Sequence, residues 1–434
     1  ESLTYYDGAG NVAPLLVLPP SGAARAAETA VTLQRLRQLN QHLLELPEGF
    51  LLDRKLARAR EKRKTALDNE DVATIDWATA EELALASILA DGTAVRFTGE
   101  DVERGTFSQR YAVFHDSETG EKYQPLQNIP EAQAAFEIHN SPLSENAAVA
   151  FEYGYNIQAP DRLVIWEAQY GDFINAAQAV IDEFVVAGKA KWEQTPSLVL
   201  LLPHGYEGQG PDHSSARLER FLQLAAKTSI RIAYPTTAAQ YFHLLRRQYA
   251  VLVEDPLPLV VMSPKSLLRH PRAASAPGQL SEGEWQPIIP DHLSRERTDE
   301  VRRLVLCSGK VYVDLVPIQE RILEEREEIP VAITRVEQLY PFPEQAITAE
   351  LERYPQLEQV VWLQEEPANM GAWEFVRSFL SASVEGRYSL NYIGRPRRAS
   401  PAEGSSAWHR VNQKAITEHA FQFQDQQEEN KNEQ

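Results

Sequence analysis

A loop rich in glycine and histidine follows an apolar run in the middle of the chain. Residues 203–215 read PHGYEGQGPDHSS and come directly after Ser197 to Leu202. Glycine lets a backbone approach a ligand closely, and histidine is the side chain best suited to moving protons near neutral pH. One histidine at a strand end is more often structural, but two in such a loop indicate a site. His204 and His213 are therefore candidate catalytic residues.

A second candidate is an acid at a predicted helix start. Residues 143–155 read LSENAAVAFEYGY, in which Ser144 is predicted to cap a helix whose first turn contains Glu145. An acid at this position usually only complements the helix dipole. Taken alone, Glu145 is therefore more easily explained as structural than as catalytic.

Two aromatic side chains follow another apolar run. Residues 166–173 read WEAQYGDF, with Tyr170 and Phe173 just beyond the predicted strand Leu163 to Glu167. Such rings either pack on a flat ligand or fill the core. The core interpretation is the simpler one when this stretch is considered alone.

Alternating strands and helices are predicted to position these residues. The predicted strands are Ala94 to Phe97, Leu163 to Glu167, Ser197 to Leu202, Ile230 to Tyr234 and Leu257 to Met262. The predicted helices are Asp76 to Ala90, Glu145 to Tyr155, Asn175 to Ala187, Ser214 to Lys227 and Ala238 to Tyr249. Short apolar strands between amphipathic helices indicate an α/β fold with a parallel sheet flanked by helices. Such a sheet presents ligands at the carboxyl ends of its strands.

The pattern divides the chain into five segments. A second alternating block, with strands at Leu304 to Cys307, Val331 to Val336 and Val360 to Leu363, predicts a smaller carboxy-terminal α/β domain. The predicted segments are a helical arm at 1–75, the main α/β domain at 76–275, a linker at 276–300, the smaller domain at 301–424 and a disordered tail at 425–434.

Composition excludes several classes of protein. The 43 basic and 62 acidic residues give a net charge of −19, which argues against nucleic-acid binding. The single cysteine, Cys307, cannot form an intramolecular disulfide and is predicted to be buried in a strand. Because no long uncharged apolar run is present, we predict a cytoplasmic protein without a membrane span.

Three elements in order carry a family resemblance. Glu145 with Gly154, then YGDF at 170–173, then the loop from His204 to His213 resemble the pyrimidine-binding domain of thiamine-diphosphate enzymes of the transketolase and 2-oxoacid dehydrogenase type. Further blocks resemble the decarboxylating component of 2-oxoglutarate dehydrogenase complexes. These are GED at 99–101, RGTF at 104–107, FEYGY at 151–155, MSPKSLLR at 262–269, VEQLYPFP at 336–343 and QEEP at 364–367. One position departs from the pattern, since Tyr111 stands where the family usually has histidine.

The resemblance implies an activity and a role for each candidate residue. It implies decarboxylation of 2-oxoglutarate with thiamine diphosphate, and transfer of the succinyl group to the lipoyl domain of a dihydrolipoyl succinyltransferase. Glu145 resembles the acid that hydrogen-bonds the cofactor's pyrimidine ring. Tyr170 and Phe173 resemble the aromatic wall of that ring's pocket. His204 and His213 resemble the loop histidines that contact substrate, and the resemblance does not divide their roles.

The family also needs a part that this sequence does not show. A Gly-Asp-Gly type turn and a later asparagine hold Mg²⁺ and the diphosphate in the family, whereas Asp7-Gly8 and Asn11 are too close together to match. We therefore predict no metal site in this chain, a partner domain or subunit that supplies the pyrophosphate site, and a homo-oligomer. A noncatalytic interaction or regulatory module is the alternative, as is a subunit of a transketolase or of another 2-oxoacid dehydrogenase.

Overall fold

A seven-stranded sheet is the largest unit of the computed structural model, which describes residues 5–6, 12–13 and 27–423. From edge to edge its strands are Gln338–Tyr340, Arg231–Ala233, Leu259–Ser263, Val199–Pro203, Leu163–Glu167, Val95–Gly99 and Phe136–Asn140. All neighbours pair in parallel except the first two, which are antiparallel. The predicted tail at 425–434 and the segment Asp7 to Asn11 lie outside the described residues.

Helices cover both faces of this sheet. Leu163 and Ile165 pack into one core with the helices Trp77–Ala90 and Ala238–Ala250, while Val164 and Trp166 pack into a second core on the opposite face. Successive strand residues point to opposite faces, so a strand that is apolar throughout must be covered on both. The α/β fold class predicted from the sequence is confirmed.

The remaining α-helices of this half are two arm helices, the 14-residue helix that begins at Glu145, and several short ones. Their bounds are Leu33–Leu43, Arg54–Arg63, Pro125–Asn128, Glu145–Gln158, Gln178–Val180, Gly188–Trp192, Leu218–Leu224 and Pro277–Ser281. The arm's first helix buries Leu36, Leu39 and Leu43, whereas the basic helix Arg54–Arg63 buries none of its residues. Two short strands, Phe114–His115 and Lys122–Tyr123, follow Val95–Gly99 in the chain and pair antiparallel with each other. Tyr5–Tyr6 pairs antiparallel with Val12–Ala13.

Two helices predicted from the sequence are wrong in extent. The predicted helix at 175–187 is a 3₁₀ segment, Gly171–Ala177, followed by one α turn and a π turn, Ile181–Val185. The helix predicted at 214–227 spans only Leu218–Leu224, because Arg217 adopts a left-handed backbone conformation with φ of 57°.

The smaller sheet has five strands. Their order is Ile288–Ile289, Val331–Val336, Arg303–Cys307, Gln359–Pro367 and Ser389–Arg395, and only the first pair is antiparallel. The helices around it are Val311–Arg326, Glu344–Glu352, Trp373–Val384 and Ser406–His419. Cys307 is fully buried, as predicted, and burial raises the pKa of its thiol to about 12.

The segment predicted as a linker, 276–300, is packed against both halves. It contains the helix Pro277–Ser281 and the strand Ile288–Ile289, and the side chains of Leu280 and Trp285 are buried. The chain also returns from the smaller sheet to the larger one, since Gln338–Tyr340 forms an edge of the seven-stranded sheet. The five-segment division stays a prediction. Its boundaries do not coincide with the two sheets, because residues 338–340 belong to the larger sheet and residues 288–289 to the smaller one.

Candidate active site

Three neighbouring strands end beside one another and bring the candidate residues together. The strand Leu163–Glu167 leads into Tyr170–Phe173, the strand Val199–Pro203 leads into the histidine loop, and Leu259–Ser263 leads into Lys265. The first two segments touch so closely that a Cβ atom on Gly171 would lie 2.6 Å from the carbonyl oxygen of Pro203. Glycine is therefore required where these two segments meet.

Four aromatic rings form a cluster at this edge. The Tyr170 ring lies edge-to-face against His213, Phe107 and Phe173, with centroid distances of 4.5, 5.6 and 5.7 Å. The Phe173 and His213 centroids are 6.0 Å apart. The structure thus brings together Tyr170, Phe173 and His213 as the sequence predicts, and adds Phe107, which the sequence marked only as part of RGTF.

Glu145 lies in a cavity next to this cluster. It begins the helix Glu145–Gln158 and lines a cavity of about 480 Å³ together with Phe173. The other lining residues are Asp172, Asn175, Ala176, Pro211, Asp212, Arg217 and Pro401. Ser144 occupies the N-cap position, but its side chain makes no capping hydrogen bond, so the predicted cap is wrong in that respect.

Asp172 is a site residue that sequence reasoning missed. Its carboxyl group is 5% exposed, and its Oδ1 accepts a hydrogen bond of 3.1 Å from the backbone N–H of Ser215. Its Oδ2 is buried and has no partner among the described residues. Burial raises the pKa of this carboxyl group. The signal available in the sequence was an acid between two aromatic residues just after a buried strand.

His204 is buried, and each of its two ring nitrogens forms a hydrogen bond within the protein. The ring is 1% exposed, and its Nδ1 accepts a 3.0 Å hydrogen bond from the backbone N–H of Ala216. A backbone N–H can only donate, so the proton of the neutral ring lies on Nε2, which donates to Glu366 Oε1 at 2.8 Å. The rings of Tyr206 and Tyr234 pack against it. His204 therefore does not line the Glu145 cavity.

His213 has the opposite environment. Its side chain is partly exposed and stands against the aromatic cluster. Its carbonyl oxygen accepts a 2.6 Å hydrogen bond from Lys265 Nζ, which also donates to Gln209 Oε1 at 2.7 Å. Lys265 is 5% exposed, and burial lowers the pKa of its ammonium group. The buried lysine thus fastens the loop that carries His213.

Tyr111 lies in a different cavity from Glu145. It adopts a left-handed backbone conformation with φ of 48° and lines a cavity beside the basic arm helix, together with Arg60 and Arg63. Its neighbour Arg110 forms buried ion pairs with Glu81 and Glu167. Burial alone would lower the pKa of the Arg110 guanidinium, but the two carboxylates hold it well above its ordinary value. Tyr111 therefore lies next to a buried ion-pair network and outside the ring cluster.

Neither a metal-binding cluster nor a membrane-spanning helix is found in the part of the chain that the structure describes. Residues 27–423 hold no group of three or more His, Cys, Asp or Glu side chains that could bind a metal ion. No helix within them combines the length and the apolar composition that crossing a lipid bilayer requires.

Two family models match consecutive parts of the chain. The transketolase pyrimidine binding domain matches residues 73–271, and the 2-oxoglutarate dehydrogenase C-terminal domain matches residues 274–421. Relatives named 2-oxoglutarate dehydrogenase E1 component from Bacillus cereus (strain AH820), Bacillus mycoides (strain KBAB4) and Bacillus anthracis are each 50% identical over 395 residues. The aligned residues are 91% of this chain and 41% of each relative, so the chain spans about two fifths of the length of these curated relatives.

The order of these two matches agrees with the order of the motifs in the sequence, and the ring cluster lies within the first of them. The resemblance predicted from the sequence is confirmed. The chain belongs to the 2-oxoglutarate dehydrogenase E1 family, of which it carries the transketolase-type pyrimidine-binding domain followed by the C-terminal domain.

Proposed function

We propose that this chain supplies the pyrimidine-binding half of the active site of a thiamine-diphosphate-dependent 2-oxoglutarate dehydrogenase. That enzyme would decarboxylate 2-oxoglutarate and pass the succinyl group to the lipoyl domain of a dihydrolipoyl succinyltransferase. The observation that carries the proposal is a single wall of the site, which runs from Glu145 through Phe173 and Tyr170 to His213.

The residues present fit the pyrimidine ring of the cofactor. A flat aromatic ring needs apolar faces and a few placed polar groups, and the site offers Tyr170 and Phe173 beside the carboxyl groups of Glu145 and Asp172. Ring contacts contribute about 0.5–1.5 kcal/mol beyond area burial, so they orient the ring more than they hold it. Thiamine diphosphate, when bound, supplies the electron sink for decarboxylation.

Glu145 is proposed to hold a proton at a ring nitrogen of the bound pyrimidine. It is partly exposed in this chain, at the start of its helix and on the cavity wall, so its carboxyl group can reach a ligand. A proton-transfer group must lie within hydrogen-bonding reach of the atom it serves. This assigns Glu145 to cofactor activation and leaves the substrate to other side chains.

The two histidines are proposed to divide the remaining work. His213 stands against Tyr170 with its ring partly exposed, so it can contact substrate and its developing charge. His204 is buried, and both its ring nitrogens are already hydrogen-bonded within the protein. We therefore assign contact with substrate to His213 and a positioning role to His204.

The rest of the site is proposed to come from a partner. Mg²⁺ requires oxygen ligands in near-octahedral geometry, and residues 27–423 provide no such group. An apolar groove beside the Glu145 helix, lined by Ala150, Tyr153, Gly154, Val180, Phe184, Trp192 and Gln194, offers a surface for the missing pyrophosphate half or for a second copy in a homo-oligomer. A cytoplasmic location is part of the proposal, supported by the free thiol of Cys307.

Glu145→Gln tests the proposal in an assembly completed with the missing half. Glutamine has nearly the same size, so the fold and the cofactor affinity should be retained. Hydrogen–deuterium exchange at the cofactor's reactive carbon and 2-oxoglutarate decarboxylation should both slow by a factor on the order of 100 or more. Asp161→Asn removes an exposed carboxylate beyond the other end of the same helix and should change neither rate. Unchanged exchange in Glu145→Gln would instead favour the noncatalytic alternative.

A further inference from the structure

Glu366 reaches the histidine loop from the C-terminal domain. It lies near the end of the strand Gln359–Pro367, and its Oε1 accepts the 2.8 Å hydrogen bond from His204 Nε2. The two side chains are 7% and 1% exposed, so water does not compete for this bond. A hydrogen bond to an ionised acceptor is about twice as strong as a neutral one.

The hydrogen bond to Glu366 is one end of a series of hydrogen bonds, called the linkage below, that reaches the Glu145 cavity. From His204 the linkage passes through Nδ1 to the N–H of Ala216, and the preceding N–H, that of Ser215, is bound by Asp172. Asp172 lines the same cavity as Glu145. Displacing Glu366 would therefore disturb the ring of His204 first and the backbone at 215–216 next.

The adjacent acid, Glu365, does not belong to this linkage. Successive side chains of a strand point in opposite directions, and Glu365 accepts a 2.6 Å hydrogen bond from Gln413 instead. Burial raises the pKa of the Glu365 carboxyl group to about 7. Burial acts on Glu366 in the same direction, but the hydrogen bond from His204 holds the pKa of its carboxyl group below the ordinary value. The pKa values of two neighbouring buried acids are thus displaced in opposite directions, and the acid with the lowered pKa faces the histidine.

We propose that Glu366 is a positioning residue of the active site, which anchors the His204 ring at Nε2 so that Nδ1 stays bound to the N–H of Ala216, and thereby holds the backbone at 215–216 against Asp172. The C-terminal domain thus takes part in the site by orienting a histidine that it does not carry. The effect on turnover rests on the proposed function, whereas the tautomer of His204 does not.

The tautomer is tested in the full 434-residue chain, with ring nitrogens labelled with ¹⁵N and the His204 signals assigned by substitution. At pH 8 the unmodified chain should show a protonated Nε2 and an unprotonated Nδ1 at His204. Glu366→Gln offers an amide oxygen as acceptor and should keep this pattern. Glu366→Ala should give a mixture of tautomers, because a ring no longer anchored at Nε2 turns away from the N–H of Ala216. Glu365→Gln is the matched control and should leave the pattern unchanged.

A second measurement follows turnover in the completed assembly. Glu366→Ala should lower kcat/KM for 2-oxoglutarate by at least about tenfold, because an unoriented histidine loses part of its contribution, and Glu366→Gln should restore most of the rate. Exchange at the cofactor's reactive carbon should remain near its original rate, which separates this result from failure at Glu145.

Three outcomes would overturn the proposal. One is an unchanged tautomer in Glu366→Ala. Another is loss of the Nε2–H pattern in Glu366→Gln, which also decides the matter if the alanine variant does not fold. The third is an equal effect of Glu365→Gln on the His204 signals.

Discussion

His204 and His213 lie in one loop but serve it differently. The first is enclosed by Ala216 and Glu366, and the second stands partly exposed against Tyr170. Residue type and spacing alone treat them as equals. Their difference arises from burial and from partners that are distant in the sequence.

The two histidines should therefore differ in their effect on stability. His204→Ala leaves the N–H of Ala216 and the carboxylate of Glu366 buried without a partner, at a cost of about 1–3 kcal/mol for each group. His213→Ala removes only ring contacts, worth about 0.5–1.5 kcal/mol. Urea unfolding of the chain, followed by circular dichroism, measures both. Equal losses would show that the hydrogen bonds of His204 contribute little.

The sequence identified most side chains of the candidate site but not their burial, hydrogen-bond partners or tautomers. The motifs selected Glu145, Tyr170 and His213 correctly as neighbours of one cavity and ring cluster. They missed Asp172, because a single acid in a short motif carries no sign that one of its oxygens is buried without a hydrogen-bond partner among residues 27–423. They also could not assign the tautomer of His204, which depends on the N–H of Ala216 and on Glu366 from the other domain.

At the scale of the element, the helix Glu145–Gln158 has one face on which the described residues 27–423 pack little. Its inner face buries Val149 and Tyr153, while Phe151 on its outer face is 55% exposed. Gly154 lies on this outer face, and a Cβ atom added there would meet nothing within 4 Å. Glycine inside a helix costs roughly 0.5–1 kcal/mol relative to alanine. No contact among residues 27–423 accounts for that cost, and we propose that another helix approaches this face closely.

Gly154 therefore offers a test of the outer face as an assembly surface. Gly154→Ala should raise the free energy of unfolding of the isolated chain by roughly 0.5–1 kcal/mol, because no neighbour is displaced. Gly154→Leu should weaken association with the missing half or with a second copy, as measured by sedimentation velocity. Ala382→Leu adds the same side chain at an exposed position of the helix Trp373–Val384, away from this face, and should leave association unchanged. Full association of Gly154→Leu would exclude this surface.

Periodicity located the buried strands well and the irregular helices poorly. The strand Leu163–Glu167 has the predicted bounds, because a strand covered on both faces must be apolar throughout. The segment after Phe173 fails as a continuous helix, since the π turn Ile181–Val185 breaks the 3.6-residue period on which the prediction rests. The helix after Ser214 begins late because its first amides are bound by Asp172 and His204 instead.

At the scale of the whole molecule, the two halves are joined by a strand that crosses between them. Tyr234 donates its backbone N–H to the carbonyl oxygen of Glu337 at 2.7 Å, and Trp285 Nε1 donates to Gln338 Oε1 at 3.2 Å. The carboxylate of Glu337 accepts the N–H of Thr236 at 2.8 Å. Alternation of strands and helices along the sequence could not show this crossing, because it reveals the order of elements and not the sheet that each one joins.

A fragment that ends between the two family matches should not form a stable, monomeric fold. Residues 27–273 would leave the strand Arg231–Ala233 as an open edge, without the buried Leu339 that covers its neighbours. Open edges pair with other chains, so this fragment should bind a hydrophobic dye and aggregate, whereas residues 27–423 should remain dispersed. Adding 274–423 as a separate chain should suppress aggregation. A dispersed fragment with a cooperative unfolding transition would contradict this prediction.

During synthesis, the larger sheet cannot be completed until its crossing strand, Gln338–Tyr340, has been made. The larger sheet begins first in the chain, yet its last edge strand, Gln338–Tyr340, is made only after three of the smaller sheet's five strands. Until then the nascent chain carries an unpaired edge of the kind that recruits chaperones or mispairs with other chains. The site at the carboxyl ends of the first sheet is thus finished late in synthesis, since Glu366 is made later still.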